Sequence, residues 1–541
     1  MSKLQNCIQS FVEQLTKVGL EHVVICPGSR NGPLIQAFLS QKIQHHSVID
    51  ERSAGYVAMG MAQQVQKPVA VVCTSGTAAA NLIPASIEAY YSGIPILLIT
   101  ADRPPELIDQ WDGQCIRQVG LFSNHISGEY SCPDEYSNPE NFQQIAMDAY
   151  AQCFSPNGGP VHINVPLREP LYNRAVEHNT PLDVPNLPPH KSEEKHLEQL
   201  KHALASYDNV LLVNGANFVS GTPEATDWSI PVLSDIVSNR KAIENIPHWD
   251  ALLNGKNGNL ADLKPDLLIS TGRATVSKSL KQFLREYKPQ KHLHLSLFDF
   301  VGDPFKSNPE VLKIVESDLW KLLSELEDRN GFKNNWLNNS KAFQQNLPTG
   351  NQSWNEMEAV QEILELLPKS SIVHLSNSMA VRYASFVLNR PDLELFCNRG
   401  TSGIEGCSST AVGASLVTQK QVTLISGDIS FFYDINALWQ NELPHSLKIV
   451  VLNNGGGEIF NLIEGPANIP EAIPFQTTPH QRSAKTAASE FGLNYFCASD
   501  YMELNHALSE WQQSKLACIL EIKTNPKRNK EFYTQFKNIE I

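Results

Sequence analysis

Along the chain, short runs of aliphatic and β-branched residues alternate with longer stretches in which apolar positions recur every three or four residues. "HVVICPG", "VAVVCTSG", "PILLITA", "NVLLVNGA", "DLLISTG", "SIVHLSN" and "KIVVLNN" each hold a continuous apolar run, the pattern of strands covered on both faces. Amphipathic segments separate them. The first spaces Leu4, Ile8, Phe11, Leu15 and Val18 at helical intervals, which predicts a packed helix and not a signal peptide. Alternating strands and helices predict an α/β protein of doubly wound modules with mostly parallel sheets.

Two stretches interrupt the alternation. Residues 173–195 replace periodic apolar positions with prolines and charges and read as a linker, and residues 327–354 are rich in Asn, Gly and Lys with room for a short helix. Three modules result, at 1–180, 196–340 and 355–541. The outer two share a plan, in "DERSAGYVAMGMAQQVQKPVAVVCTSGTAAANL" and "NRGTSGIEGCSSTAVGASLVTQKQVTLISGDISFFYDINAL". Each has a polar start, a small-residue helix, a short turn, a strand and a Ser-Gly exit, as an ancient duplication would leave. Ligands of open α/β sheets bind at the carboxyl ends of strands, so a ligand with two unlike ends could bridge two such modules.

Composition narrows the partners. With 57 Asp and Glu against 43 Lys and Arg, the net charge of −14 argues against nucleic acid or an anionic membrane surface. No apolar run approaches the roughly 20 residues of a membrane helix. The ten cysteines form no C-x-x-C pair and several sit in apolar runs, so reduced thiols and a cytoplasmic location are expected.

Candidate chemistry enters where two strand-like runs end in polar groups 26 residues apart, at Asp428 and Asn454. Asp428 supplies a hard anionic oxygen and Asn454 an amide oxygen, while the glycines after Asn454 let a backbone carbonyl such as that of Gly456 point inward. Those are ligands for Mg²⁺ (or Mn²⁺), a metal that completes its octahedron with phosphate oxygens. The helix opening at Gly427-Asp428-Ile429-Ser430 aims N–H groups at the same phosphates, so a diphosphate is the expected guest.

"GDIS" followed by "NNGGG" resembles the diphosphate motif of thiamine diphosphate enzymes, and "DERSAGYVAMGMA" with "TSGTAAAN" resembles their pyrimidine-binding half. "CPGSRNGPL", "TADRPPELID", "HINVPLREPLY", "SNSMAVR", "NRGTSGIEGCSSTA" and "NNGGGEIF" extend the likeness from Cys26 to Phe460. As a set they are similar to the 2-succinyl-5-enolpyruvyl-6-hydroxy-3-cyclohexene-1-carboxylate synthase family of menaquinone biosynthesis, the middle module matching weakly.

The resemblance implies pyrimidine, middle and diphosphate domains, bound thiamine diphosphate, and a transferase that decarboxylates 2-oxoglutarate and adds the succinyl carbanion equivalent to isochorismate. It implies that Glu51 activates the cofactor's aminopyrimidine, and that Ile404 packs beneath the cofactor. Thr77, Asn81, Ser402, Ile429, Ser430, Ile459 and Phe460 complete its cradle. Arg30, Arg103 and Gln114 fall to the isochorismate side, Ser29 and Arg117 to substrate binding, and Ser378, Arg382 and Arg399 to the reacting centre. Lys278 stands where the family can place two adjacent basic residues, and Gly455 and Glu458 stand where it often has amides. A homodimer or homotetramer is implied. The alternatives are another thiamine diphosphate-dependent 2-oxoacid decarboxylase or carboligase, including an acetohydroxyacid synthase carrying FAD, and a non-catalytic cofactor-binding protein. "NVLLVNGANFVSG" carries no strong dinucleotide fingerprint, and intact Glu51, Asp428 and Asn454 weigh against a dead relative.

Overall fold

The computed structural model describes residues 3–155, 158–172, 180–184, 191–217, 228–240, 244–255, 260–298, 301–327, 330–347, 353–462 and 468–539. The 173–195 stretch therefore lies largely outside the described residues. Among the described residues there are three sheets, and every strand pair in them is parallel.

The first sheet comprises β1 (His22–Ile25), β2 (Gln44–Ser47), β3 (Val69–Cys73), β4 (Ile96–Asp102), β5 (Gly128–Ser131) and β6 (Val161–Pro166), in the order β2-β1-β3-β4-β6-β5. Val23, Val72, Ile99 and Ile163 face a core closed by helices Lys3–Val18 and Pro139–Gln152, and Val24, Val71 and Leu98 are buried on the opposite face. Burial on both faces is why these strands are apolar throughout. The predicted first helix buries Leu4, Ile8, Phe11 and Leu15.

The second sheet holds β7 (Val210–Asn214), β8 (Val232–Ser234), β9 (Leu267–Thr271), β10 (Lys291–Leu295) and β11 (Glu310–Leu312), ordered β11-β10-β9-β7-β8. The third holds β12 (Ile372–Leu375), β13 (Glu394–Phe396), β14 (Val422–Gly427), β15 (Leu447–Asn453), β16 (Asn494–Ala498) and β17 (Cys518–Lys523), ordered β13-β12-β14-β15-β17-β16. Counted from its own first strand, the third sheet repeats the order of the first, as a duplication requires. All seven apolar runs singled out in the sequence are strands: β1, β3, β4, β7, β9, β12 and β15.

The chain forms two compact units. One comprises Met1–Pro188, Gly400–Gln419 and Tyr433–Pro444, and the other Pro189–Arg399, Lys420–Phe432 and His445–Ile541. In the first unit, helix Glu51–Val65 packs along helix Cys407–Ser415. A Cβ at Gly60 would stand 2.0 Å from the Thr410 carbonyl oxygen, and one at Gly413 would stand 2.0 Å from that of Val57. Only glycine at both positions permits so close a crossing.

In the second unit, the Asn- and Lys-rich stretch contains a longer element than its composition suggested, helix Asn330–Gln345. Phe332, Trp336 and Phe343 are buried at helical spacing among residues of the second and third sheets. An apolar stripe this sparse is hidden by the polar residues between its members. The ten cysteines form no disulfide, and seven are buried. Among the described residues no helix is long and apolar enough to cross a membrane.

Candidate active site

In the first unit the predicted residues gather at the carboxyl ends of β1 to β4. Asp50 caps helix Glu51–Val65 by accepting from the Arg52 and Ser53 amides at 2.9 and 3.4 Å, which leaves Glu51 in the first turn with its side chain outside the cap. The Asn81 amide donates to Glu51 Oε2 at 3.2 Å. Asn81 closes helix Thr77–Asn81, which leaves β3 through Gly76 at φ 83°. A Cβ on Gly76 would stand 3.0 Å from Gln114 Cα, so the loop carrying Gln114 lies against the turn that precedes Thr77. Buried Gln118 accepts from the Gly76 amide at 2.9 Å and locks that turn.

The arginines of this unit have partners. Arg30 is buried, donates to the Leu167 carbonyl at 3.0 Å and sits 3.1 Å from Glu169. Arg103 donates to the Gly113 carbonyl at 2.8 Å and lies 3.5 Å from Asp112, while Arg117 is exposed and pairs with Asp109 at 2.7 Å. Ser29 is exposed, and its carbonyl accepts from Tyr172 at 3.0 Å. Ser402, at φ 64°, and Ile404 are exposed on the loop that follows Gly400. Glu88, which is buried, holds that loop by accepting from the Gly400 and Thr401 amides at 2.6 and 2.7 Å. Burial raises the Glu88 carboxyl above its ordinary range against those hydrogen bonds.

In the second unit the residues gather at the ends of β12 to β15. The Gly427 amide donates to Ser376 Oγ at 3.2 Å, joining β14 to β12 where the strand order reverses, the usual ligand crevice of such sheets. Asp428 is 2% exposed. Its Oδ1 accepts from the Ile429 amide at 2.7 Å, and its Oδ2 from the Gly455 and Gly456 amides at 2.9 and 3.0 Å. Asn454 Oδ1 lies 3.2 Å from the same Gly456 nitrogen, so the carboxylate and the amide oxygen converge on one point of the turn. His480 Nε2 stands 3.3 Å from Asp428 Oδ2. Gly427 and Ser430 flank Asp428, and Ile459 and Phe460 open the short helix Ile459–Leu462 beyond the glycines.

The donor set is consistent with a hard divalent ion. Burial raises the Asp428 carboxyl, and the buried Glu356 carboxyl is pushed up to about 7 by burial and then by the Asp428 charge. Among the described residues neither acid pairs with a Lys or Arg, so two buried carboxyls face a turn with no permanent cation to balance them. Among the described residues no three His, Cys, Asp or Glu side chains cluster as metal ligands; an ion here would rest on the Asp428 carboxylate, the Asn454 amide and a backbone carbonyl such as that of Gly456, which in this structure accepts from the Glu458 amide at 3.0 Å.

Ser378, at φ 74°, turns β12 into helix Met379–Val387, and its carbonyl accepts from Arg382. Arg399 donates to Asn377 Oδ1 at 2.8 Å. Burial, and then the charge of Arg399, lower the Arg382 guanidinium, and among the described residues neither pairs with a carboxylate. Lys278 is exposed at the start of helix Lys278–Glu286. One turn on, half-buried Lys281 donates to the Thr275 carbonyl at 2.6 Å, and burial followed by the charge of Arg399 lowers its ammonium. Lys281, Glu88, Glu356 and His480 were not singled out in the sequence. Nothing in "SLKQF", "SIEAY", "WNEME" or "TTPHQ" separates them from solvated polar residues.

Residues 5–121 match the family model described as "Thiamine pyrophosphate enzyme, N-terminal TPP binding domain". Together with the fold and the site, this defines the class as the thiamine diphosphate enzymes. The chain is 37% identical over 553 residues to a 2-succinyl-5-enolpyruvyl-6-hydroxy-3-cyclohexene-1-carboxylate synthase of Cytophaga hutchinsonii, covering 98% of each. It is 38% identical over 498 residues to that of Desulfotalea psychrophila, covering 88% of this chain and 90% of the other, and 34% identical over 561 residues to that of Bacteroides fragilis, covering 99% and 100%. The chain belongs to the 2-succinyl-5-enolpyruvyl-6-hydroxy-3-cyclohexene-1-carboxylate synthase family and is an enzyme of the transferase type.

Proposed function

We propose that the protein decarboxylates 2-oxoglutarate and joins the remaining succinyl unit to isochorismate, releasing CO₂ in a step of menaquinone biosynthesis. The observation that carries this reading is the convergence of Asp428 and Asn454 on the Gly456 turn, in a unit that also holds two guanidiniums which, among the described residues, have no carboxylate partner. Thiamine diphosphate, when bound, supplies the thiazolium carbon that adds to a 2-oxo acid and takes up the electrons left when CO₂ departs.

The protein's own groups do the rest. Asp428, Asn454 and the Gly456 carbonyl would hold Mg²⁺ or Mn²⁺, and Gly427, Ile429 and Ser430 would bind the diphosphate. Glu51 keeps a proton at the far ring nitrogen of the aminopyrimidine, and Thr77 and Asn81 frame it. Ser402, Ile404, Ile459 and Phe460 pack the cofactor. Arg382, Arg399 and Lys281 bind substrate carboxylate, the task for which unpaired, half-buried cations suit best. Ser378 and Gln114 orient the reacting carbons, while Ser29, Arg30, Arg103, Arg117 and Lys278 serve isochorismate. We further propose pyrimidine, middle and diphosphate domains at 1–180, 196–340 and 355–541, and a cytoplasmic homodimer or homotetramer.

The test is an assay with both substrates, thiamine diphosphate and Mg²⁺. The ring adduct and CO₂ should form in equal amounts, and CO₂ without adduct would show a decarboxylase instead.

A further inference from the structure

Glu356 belongs to none of the motifs that mark the site, yet it is among the best-buried acids of the second unit, at 2% exposed. It opens helix Glu356–Leu366, but its carboxylate does not secure that helix. Asn355 caps it by accepting from the Glu358 amide at 3.0 Å, and the Glu356 amide donates to Asn529 Oδ1 at 3.1 Å. The carboxylate turns inward. Its Oε1 accepts from Asn454 Nδ2 at 2.8 Å and from the Thr524 hydroxyl at 3.2 Å, and the Tyr383 hydroxyl also bonds to it.

The oxygen and NH₂ ends of an amide are nearly equal in size, so packing alone does not decide which end faces a metal. An ionised carboxylate only accepts, and Glu356, which also takes the Thr524 and Tyr383 hydroxyls, therefore selects the NH₂ end of its neighbour. We infer that Glu356 is a positioning residue for the divalent ion: by taking the Asn454 NH₂ group it keeps Oδ1 directed to the point where Asp428 Oδ2 also converges. The opposite setting would put an NH₂ group against the Gly456 N–H and present a donor to the cation. The inference rests on the proposed metal reading and deepens it.

The test measures binding, not turnover. Mn²⁺ affinity of the full chain with thiamine diphosphate is read from the electron paramagnetic resonance of free Mn²⁺, for wild type, Glu356→Gln, Glu356→Met and Asp428→Ala. Glu356→Gln retains an acceptor without charge, and Glu356→Met retains length with neither. The loss for Glu356→Met should be about 10- to 100-fold, the range for groups that orient a metal ligand. Glu356→Gln should stay within about tenfold of wild type and bind clearly better than Glu356→Met. Equal losses for the two would make Glu356 only a source of charge, and wild-type affinity in Glu356→Met would make it only structural. Either result overturns the inference. Should Glu356→Met fail to fold by circular dichroism, Glu356→Leu, which likewise removes the acceptor, takes its place with the same two outcomes. Asp428→Ala separates the failures. If it binds Mn²⁺ like wild type, the metal reading itself is wrong; if it loses binding while Glu356→Met does not, only the role of Glu356 falls.

Discussion

Glu51 and Glu88 carry the same chemical group in the same unit and put it to opposite uses. Glu88 spends its hydrogen-bonding capacity on Gly400 and Thr401 of the loop that bears Ile404 and on the Ser92 hydroxyl. Glu51 has only the Asn81 amide as a protein partner among the described residues, which suits a group kept for a ligand. Glu51→Gln should lower turnover about 10²- to 10⁴-fold, as for other positioned proton-transfer groups, with a smaller change in cofactor affinity; steady-state kinetics and a binding titration check both parts. Near-full activity would remove Glu51 from the mechanism. Asp434 gives a pH-dependent expectation. It is fully buried, accepts from the Ser409 amide at 2.7 Å and has Arg52 at 3.6 Å, yet burial pushes its carboxyl up to about 6. In the unfolded chain it titrates near about 3.9. Between those values the folded state binds more protons, so this group's contribution falls as pH rises, by roughly 3 kcal/mol across about pH 4 to 6. Stability of wild type relative to Asp434→Asn, from urea unfolding, should decline over that window and level off above it. A constant difference would show that Asp434 does not titrate there. At this scale the sequence singled out Glu51, Asp428 and Asn454 because each sits in a motif readable from its chain neighbours. Glu88 and Glu356 were illegible, since their partners lie 313 and 98 residues away.

Among elements, the crossing of helices Glu51–Val65 and Cys407–Ser415 leaves no room for a methyl group. Gly413→Ala should therefore cost at least about 1–3 kcal/mol, the range for overpacked cores, read as a lower denaturation midpoint. An unchanged midpoint would mean that the helices can separate freely. The long apolar strands were legible because burial on both faces writes itself into every position. The edge strands β2, β8, β11 and β13 were not, for none of them has more than two apolar residues. Helix Asn330–Gln345 was legible only as a short helix because tertiary burial of three aromatic residues outweighs its polar composition.

For the whole molecule, the repeated strand order of the first and third sheets accounts for why two stretches far apart in sequence read alike. What no local pattern disclosed is that the first unit borrows Gly400–Gln419 and Tyr433–Pro444 from the later chain. A fragment of residues 1–188 should accordingly be incomplete. It should bind a hydrophobic dye and aggregate at concentrations where the full chain remains clear, as light scattering would record; a stable, dye-free fragment would contradict this.

That borrowed pair of segments also sets a clock on biosynthesis. About 200 residues separate Pro188 from Gly400, so at roughly 5–20 residues per second the ribosome needs on the order of 10 to 40 s to deliver the missing helix. Throughout that interval the glycine-bearing face of Glu51–Val65 has no mate on the nascent chain. Faster translation of residues 189–399 shortens the exposure, and a pause within them lengthens it, so codon choice in the middle of the gene bears on the yield of its first unit.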